Sequence, residues 1–385
     1  MTMRWTRLII SFGLSLLFLY LTFFIPQFGR FFAGECGFGE ALVGHPRFDI
    51  SQLGDVLARA RWSPIAGAGV LFFTSLAVRA WRWQIMLGPI VRMRFMDVFA
   101  AMSIGYMANN VLPFRMGEVY RAHVVFQISG LSRTAAFGSV VLERMTDLFF
   151  MMPYALLGVL LYPLPGGLRS GIYLMTGVVV ILATLTLWIA FDRRRSLAAA
   201  QKLMNVLPKK AAAACYELLE RFTSGFDVLK KSEHHIGLVA SSLSLWAMYA
   251  GMVYCILQSL QFWNSGLSIL DANPLAAVLI TLIVTTLGFV IPGAPGGVGT
   301  YHGMTVIGLS LLAVPGDRAA GFAILLHALN YIPLTVLGLF FFWKLGLSFH
   351  GTRDLTAEMH PTASESSSPI VPVKDDASDS SEARR

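Results

Sequence analysis

Residues 236–260 run for 25 positions without a single Lys, Arg, Asp or Glu. As a helix rising 1.5 Å per residue, such a run exceeds the roughly 30 Å of a bilayer's hydrocarbon core. Comparable runs cover 7–25, 64–87, 136–161, 169–191 and 319–343, some of them carrying isolated charges. In hydrocarbon every backbone N–H and C=O must be satisfied internally, which leaves helices or a closed barrel. The runs are continuous rather than alternating, which favours helices over a barrel. The composition agrees: 55% of residues are hydrophobic and 14% are charged, against about 25% charged in soluble domains. Mean hydropathy is +0.63. The chain is predicted to be an all-α polytopic membrane protein with about six full transmembrane helices.

Two further apolar stretches are too short to cross and are broken by Pro and Gly: 97–112 followed by 116–130, and 274–291 followed by 303–314. Lys and Arg in short loops set orientation. Segment 192–235 holds nine of them, so it is expected in the cytoplasm, with an amphipathic helix in AAAACYELLERFTSGFDVLKK. Segment 26–63 carries four basic and four acidic residues and fits the outside. Run 7–25 follows Arg4 and Arg7 and is followed by no small-residue cleavage site, so it reads as a retained first span rather than a signal peptide, with the N-terminus cytoplasmic. Parity then makes each broken pair a hairpin that returns to its own side, and the two enter from opposite faces. That is the pattern of an inverted repeat with a midplane site. A full crossing by both 274–291 and 303–314 preserves the same parity. The domain reading is a membrane domain over 1–350 and a polar tail over 351–385 that lacks the apolar surface to fold.

The tip of the first hairpin is NNVLPFRMGEVYR, residues 109–121. Pro113 removes a donor and ends the first half-helix, and Gly117 permits close backbone approach. Arg115, Glu118 and Arg121 recur every third residue beside Asn110. Span 136–161 opens with LERMTD, which supplies Glu143, Arg144 and Asp147, while Arg79 and Arg82 close span 64–87. A charge at membrane depth costs about 2.5–3.5 kcal/mol, so such residues are paired or functional. A surplus of arginine suits an anion, above all phosphate, which the guanidinium fork matches in a bidentate way. For Arg79 and Arg82 a second reading, as basic anchors at a helix end, is equally open. The second tip, PGAPGGVGTYHG, feeds a Gly-rich turn containing Gly297 and Gly299 into a helix start, with His302 beside it. His302 reads equally as a hydrogen-bonded structural residue.

Cys36, Cys215 and Cys255 share no metal or redox spacing, and no strand precedes the Gly-rich turn to make it a nucleotide fingerprint. No cofactor or metal is expected. The net charge of +8 fits loops facing anionic lipid rather than nucleic acid.

Taken together and in this order, NNVLPFRMGEVYR, LERMTD and PGAPGGVGTYHG resemble the lysylphosphatidylglycerol synthase transmembrane-region family, flippase-like integral membrane proteins. The resemblance covers roughly 7–345. It places the family's first motif on Asn110, Leu112, Pro113, Arg115, Gly117, Glu118 and Arg121. Its second falls on Glu143, Arg144 and Asp147, and its third on Pro295, Gly296, Gly297 and Gly299. Many members have Glu where this chain has His302, and some relatives carry His. The resemblance implies a lipid flippase, or a partner of envelope-biosynthesis enzymes in polar-lipid or lipid-linked-sugar handling. The soluble aminoacyl-transferase domain of bifunctional members has no counterpart here, so a transporter is expected rather than an enzyme.

The resulting expectation is a plasma-membrane protein, in a bacterial inner membrane, that moves a phospholipid or polyprenyl-phosphate-linked sugar with an anionic headgroup between leaflets. Arg115, Arg121 and Arg144 would bind the phosphate, and Glu118, Glu143, Asp147 and His302 would set the charge of the cavity. An intramembrane enzyme acting on a lipid phosphate, and a non-catalytic scaffold, are the competing classes.

Overall fold

The computed structural model describes Tyr20, Phe24–Ile25, 37, 39–40, 45–46 and 50–347, except for 113–115, 163–165, 205–207, 231, 264–272, 291–294 and 311. Expectations that fall elsewhere lie outside the described residues: most of the first span, Arg115 and the polar tail. Among the described residues the architecture is helical, apart from a two-residue antiparallel pairing of β1 (Phe24–Ile25) with β2 (His45–Pro46). The helices are α1 (Ile50–Ala58), α2 (Trp62–Leu87), α3 (Phe95–Val111), α4 (Gly117–Ser129), α5 (Arg133–Leu161), α6 (Gly166–Phe191), α7 (Arg193–Met204), α8 (Lys209–Ser224), α9 (His235–Ser259), α10 (Pro274–Val290), α11 (Thr300–Ser310) and α12 (Gly316–Lys344).

Five of these are long and apolar enough to cross a membrane: α2, α5, α6, α9 and α12. They coincide with the five sequence-predicted spans that lie within the described residues. Their outward faces are apolar; Leu174 and Ile181 on α6 are 72% and 68% exposed. Such faces would be anomalous in water and are ordinary against lipid. The chain divides into two compact units, Met1–Phe341 and Phe342–Arg385. In the second, the end of α12 is closed by a turn in which Gly346 (φ 62) donates its N–H to the carbonyl of Trp343.

Helices α2 and α9 run antiparallel along their whole length. Gly237 faces Ile85 at one end, Arg82 donates to Ser242, Gly251 faces Leu71, Gly67 faces Cys255, and the Arg61 N–H reaches the Ser259 carbonyl at the other end. This ladder defines two ends of the bundle. The C-terminus of α2, the N-termini of α5 and α9, and the basic helices α7 and α8 share one end. There Gly138 of α5 lies directly on the Phe222 carbonyl of α8. The helical periodicity of 211–231 therefore becomes α8, while α7 precedes it and two 3-10 turns follow (Asp227–Lys230 and Ser232–His234).

Both broken pairs fold as hairpins. Helices α3 and α4 hold 17 and 13 residues and α10 and α11 hold 17 and 11, so each falls short of the ~20 residues a crossing needs. The first hairpin starts at the α2 C-terminal end, where Gln84 donates to the Met93 carbonyl, and it returns to Ser132, which caps α5. The second starts at the opposite end, where Asn273 donates to the Leu161 carbonyl at the close of α5. The predicted opposition of the two hairpins is thus a property of the packing. Each is drawn tight by glycine: Gly117 lies directly on the Gly105 carbonyl, and Gly308 lies directly on Val284. Helix α1 was not expected in 26–63. Its Leu53, Val56 and Leu57 follow i, i+3, i+4 spacing and pack beneath Gly321 of α12.

Candidate functional site

The described residues at the two hairpin tips are both tied to α12. Asn110, near the end of α3, donates to Thr335 Oγ1 (2.9 Å) and to the Tyr331 carbonyl (3.3 Å), and Tyr331 OH donates back to the Asn110 carbonyl (3.3 Å). On the other tip, His327 Nε2 lies 2.9 Å from the Gly296 carbonyl. A Cβ on Gly296 would strike the Tyr331 ring. Gly296, Gly297 and Gly299 have φ of 68, 71 and 90, a left-handed backbone that only glycine adopts freely. The tip sequence therefore requires its glycines for shape. Asn109 closes the first tip by accepting the Gly117 N–H (2.8 Å).

Beside this junction lies a network of seven charged side chains. Asp147 Oδ1 accepts from Arg82 at 2.5 Å and its Oδ2 accepts from Arg79 at 2.6 Å and from Arg144 at 3.3 Å. Glu143 is fully buried, with Arg121 at 2.7 Å, Arg79 at 3.5 Å, and Arg82 and Arg144 at 3.6 Å. Arg121 stacks over Trp83 at 3.4 Å, and Trp83 in turn donates to Ser139 (3.1 Å). Tyr106 OH accepts from Arg79 (2.6 Å) and Arg144 (3.2 Å). Among the described residues Glu118 reaches only Arg144, with Nε at 3.3 Å. Seven unpaired charges at membrane depth would cost on the order of 20 kcal/mol on insertion scales. Their mutual pairing offsets that cost and leaves four arginines against three carboxylates among the described residues.

A cavity of about 550 Å³ opens onto one face of this network. Arg79, Arg144, Asp147, Glu118 and Tyr106 form its polar wall; Asn110 and Gly297 line it at the two tips; Phe72, Leu76, Met151 and Leu282 are among its apolar lining. Of the sequence-predicted residues, the structure thus brings Asn110, Glu118, Arg144, Asp147 and Gly297 to the cavity. Arg121 and Glu143 stand behind the wall, 2% and 0% exposed. Gly299 and His302 are absent from the lining; His302 packs 4.7 Å from His327, which does face the cavity.

For Arg79 and Arg82 the anchor reading is corrected. Arg82 is completely buried and Arg79 lines the cavity. The available signal was their i, i+3 spacing in VRAWRW, which puts both on one face of α2. Tyr106 and Tyr249, both on the wall, had no sequence signal. The arrangement can neutralise and orient an anion while an apolar chain lies against the remaining lining. Among the described residues no group of three or more His, Cys, Asp or Glu could hold a metal ion.

Known proteins are similar in sequence over most of this framework. The family model for the lysylphosphatidylglycerol synthase TM region matches residues 38–338, from before α1 into α12. The glycosyltransferase AglD of Haloferax volcanii is 25% identical over 81% of this chain, which spans 53% of that relative, about half its length. A UPF0104 membrane protein of Methanothermobacter thermautotrophicus is 24% identical over 73% of this chain and 83% of its own. Another, MJ1595 of Methanocaldococcus jannaschii, is 22% identical over 67% of this chain and 77% of its own. No solved structure shows a significant match. The matched segment contains both hairpins, the charged network and the cavity, and the chain belongs to the lysylphosphatidylglycerol synthase transmembrane-region family.

Proposed function

We propose that the protein moves lipids with anionic headgroups between the two leaflets of a plasma membrane, with the N-terminus and the basic end of the bundle in the cytoplasm. The observation that carries this reading is the cavity's two-faced lining. Arg79 and Arg144 supply guanidinium forks at one wall, while Phe72, Leu76, Met151 and Leu282 offer an apolar surface within the same space. A phosphate headgroup and its first methylenes match those two surfaces. Arg79 and Arg144 hold the phosphate, and Arg82 and Arg121 sustain the field from behind. The two hairpins gate the cavity from opposite ends. Lipids are its partners, alongside enzymes of envelope synthesis that would supply or consume the cargo. One relative is named a glycosyltransferase, so lipid-linked sugars belong beside phospholipids among the cargoes tested.

The test is leaflet-resolved movement of labelled phospholipids and prenyl-phosphate sugars in liposomes holding the purified protein. Movement above protein-free liposomes, lost in Arg144→Gln, is expected. No movement of any anionic lipid overturns the reading. Product formation from a sugar donor in detergent micelles, where leaflets do not exist, would instead place the protein among transferases.

A further inference from the structure

The three carboxylates of the network are held very differently. Asp147 is fixed by three arginines, two of them at 2.5 and 2.6 Å. Glu143 is sealed at 0% exposure among four. Glu118 has 29% of its side chain exposed, faces the cavity, and among the described residues touches one guanidinium through one oxygen at 3.3 Å. Its partner Arg144 also makes no contact in the network shorter than 3.2 Å. The contacts of Arg144 to Asp147, Tyr106 and Glu118 all lie at 3.2–3.3 Å, whereas Arg79 makes two at 2.6 Å.

We propose that Glu118 is a displaceable counter-ion. It occupies Arg144 in the empty cavity and yields that guanidinium to the incoming phosphate. This deepens the translocase reading and rests on it for the identity of the cargo. Displacement is inexpensive for Glu118 in particular. It sits in the first turn of α4, where the helix N-terminus favours a carboxylate, and its exposure lets water solvate the freed oxygens. Glu143 and Asp147 have no such alternative. The exchange confers selectivity, because a neutral headgroup cannot replace the lost ion pair, and it limits affinity so that the cargo can leave. Without Glu118, Arg144 would hold phosphate more tightly and release it more slowly.

The experiment compares the purified full chain with Glu118→Gln, Arg144→Gln and the double variant. The probes are short-chain phosphatidylglycerol, inorganic phosphate and, as the neutral control without a phosphate, short-chain diacylglycerol, with binding measured by titration calorimetry. Glu118→Gln should bind phosphatidylglycerol roughly two- to fivefold more tightly, the range a partly exposed ion pair supports. Diacylglycerol should be unchanged, and the gain should vanish in the double variant. Tightening for inorganic phosphate too assigns the exchange to the headgroup alone; tightening for the lipid only assigns it to headgroup and chain together. Both support the proposal. Unchanged or weaker anion binding in Glu118→Gln, in protein whose melting temperature matches wild type, overturns it. The translocase reading stands or falls separately, on whether wild type moves anionic lipid between leaflets.

Discussion

At the scale of single residues, burial ranks the charges. Glu143 balances four arginines from a position with no exposure, so removing its charge leaves guanidiniums uncompensated in a low-dielectric interior. Glu143→Gln should destabilise the protein by about 3–5 kcal/mol, as breaking a buried pair does. Glu118→Gln should change stability by no more than about 1 kcal/mol. Thermal unfolding followed by size-exclusion fluorescence in detergent separates the two, and equal losses would remove Glu143 from the centre of the network. Arg121 adds a shape requirement. Its guanidinium carbon lies 3.4 Å from the centre of the Trp83 ring, a stacking a lysine cannot reproduce, so Arg121→Lys should lower membrane abundance although the charge is kept.

Elements are held together by the places where backbones touch. A Cβ at Gly117 would collide with the Gly105 carbonyl and would stand 2.6 Å from the Asn109 backbone N and Oδ1. None of these atoms can retreat without opening the α3–α4 hairpin. Gly117→Ala should therefore cost about 1–3 kcal/mol or more and displace Glu118, which follows it directly. Gly251→Ala is the contrast. Its Cβ would stand 2.9 Å from Leu71 Cδ1, the end of a flexible side chain that can rotate away, and expression and melting temperature should stay close to wild type. Similar losses at both positions would show that the hairpin contact is no tighter than ordinary helix packing.

For the molecule as a whole, the junction on α12 decides whether the two hairpins can act as gates. Asn110 and Thr335 are hydrogen bonded across it. In a background with Cys36, Cys215 and Cys255 replaced, an oxidised pair made by Asn110→Cys and Thr335→Cys should suppress lipid movement at least tenfold, a barrier increase of about 1.4 kcal/mol. Reductant should restore it, and binding of short-chain phosphatidylglycerol should remain. Full movement in the cross-linked protein would place the moving parts elsewhere.

The sequence determined the solvent, the five described spans and the existence of two broken hairpins, because each follows from local facts: the length of an apolar run, a proline that ends a helix, a charge count in a loop. It also named Glu118, Arg121, Glu143, Arg144 and Asp147 as one constellation, since charges in hydrocarbon must find each other. It could not decide between anchor and site for Arg79 and Arg82, because a helix-end arginine looks the same in either role until its neighbours are known. Nor could it separate the lining residues Arg144 and Asp147 from Arg121 and Glu143, which lie behind them. Spacing along one helix gives the face a residue occupies, and whether that face meets a cavity or another side chain depends on α2, α4 and α5 packing together. Tyr106 and the bridge from Asn110 to Tyr331, 221 residues apart, are of the same kind. They exist only because two hairpins from opposite ends are brought to one helix, and tertiary packing alone decides that.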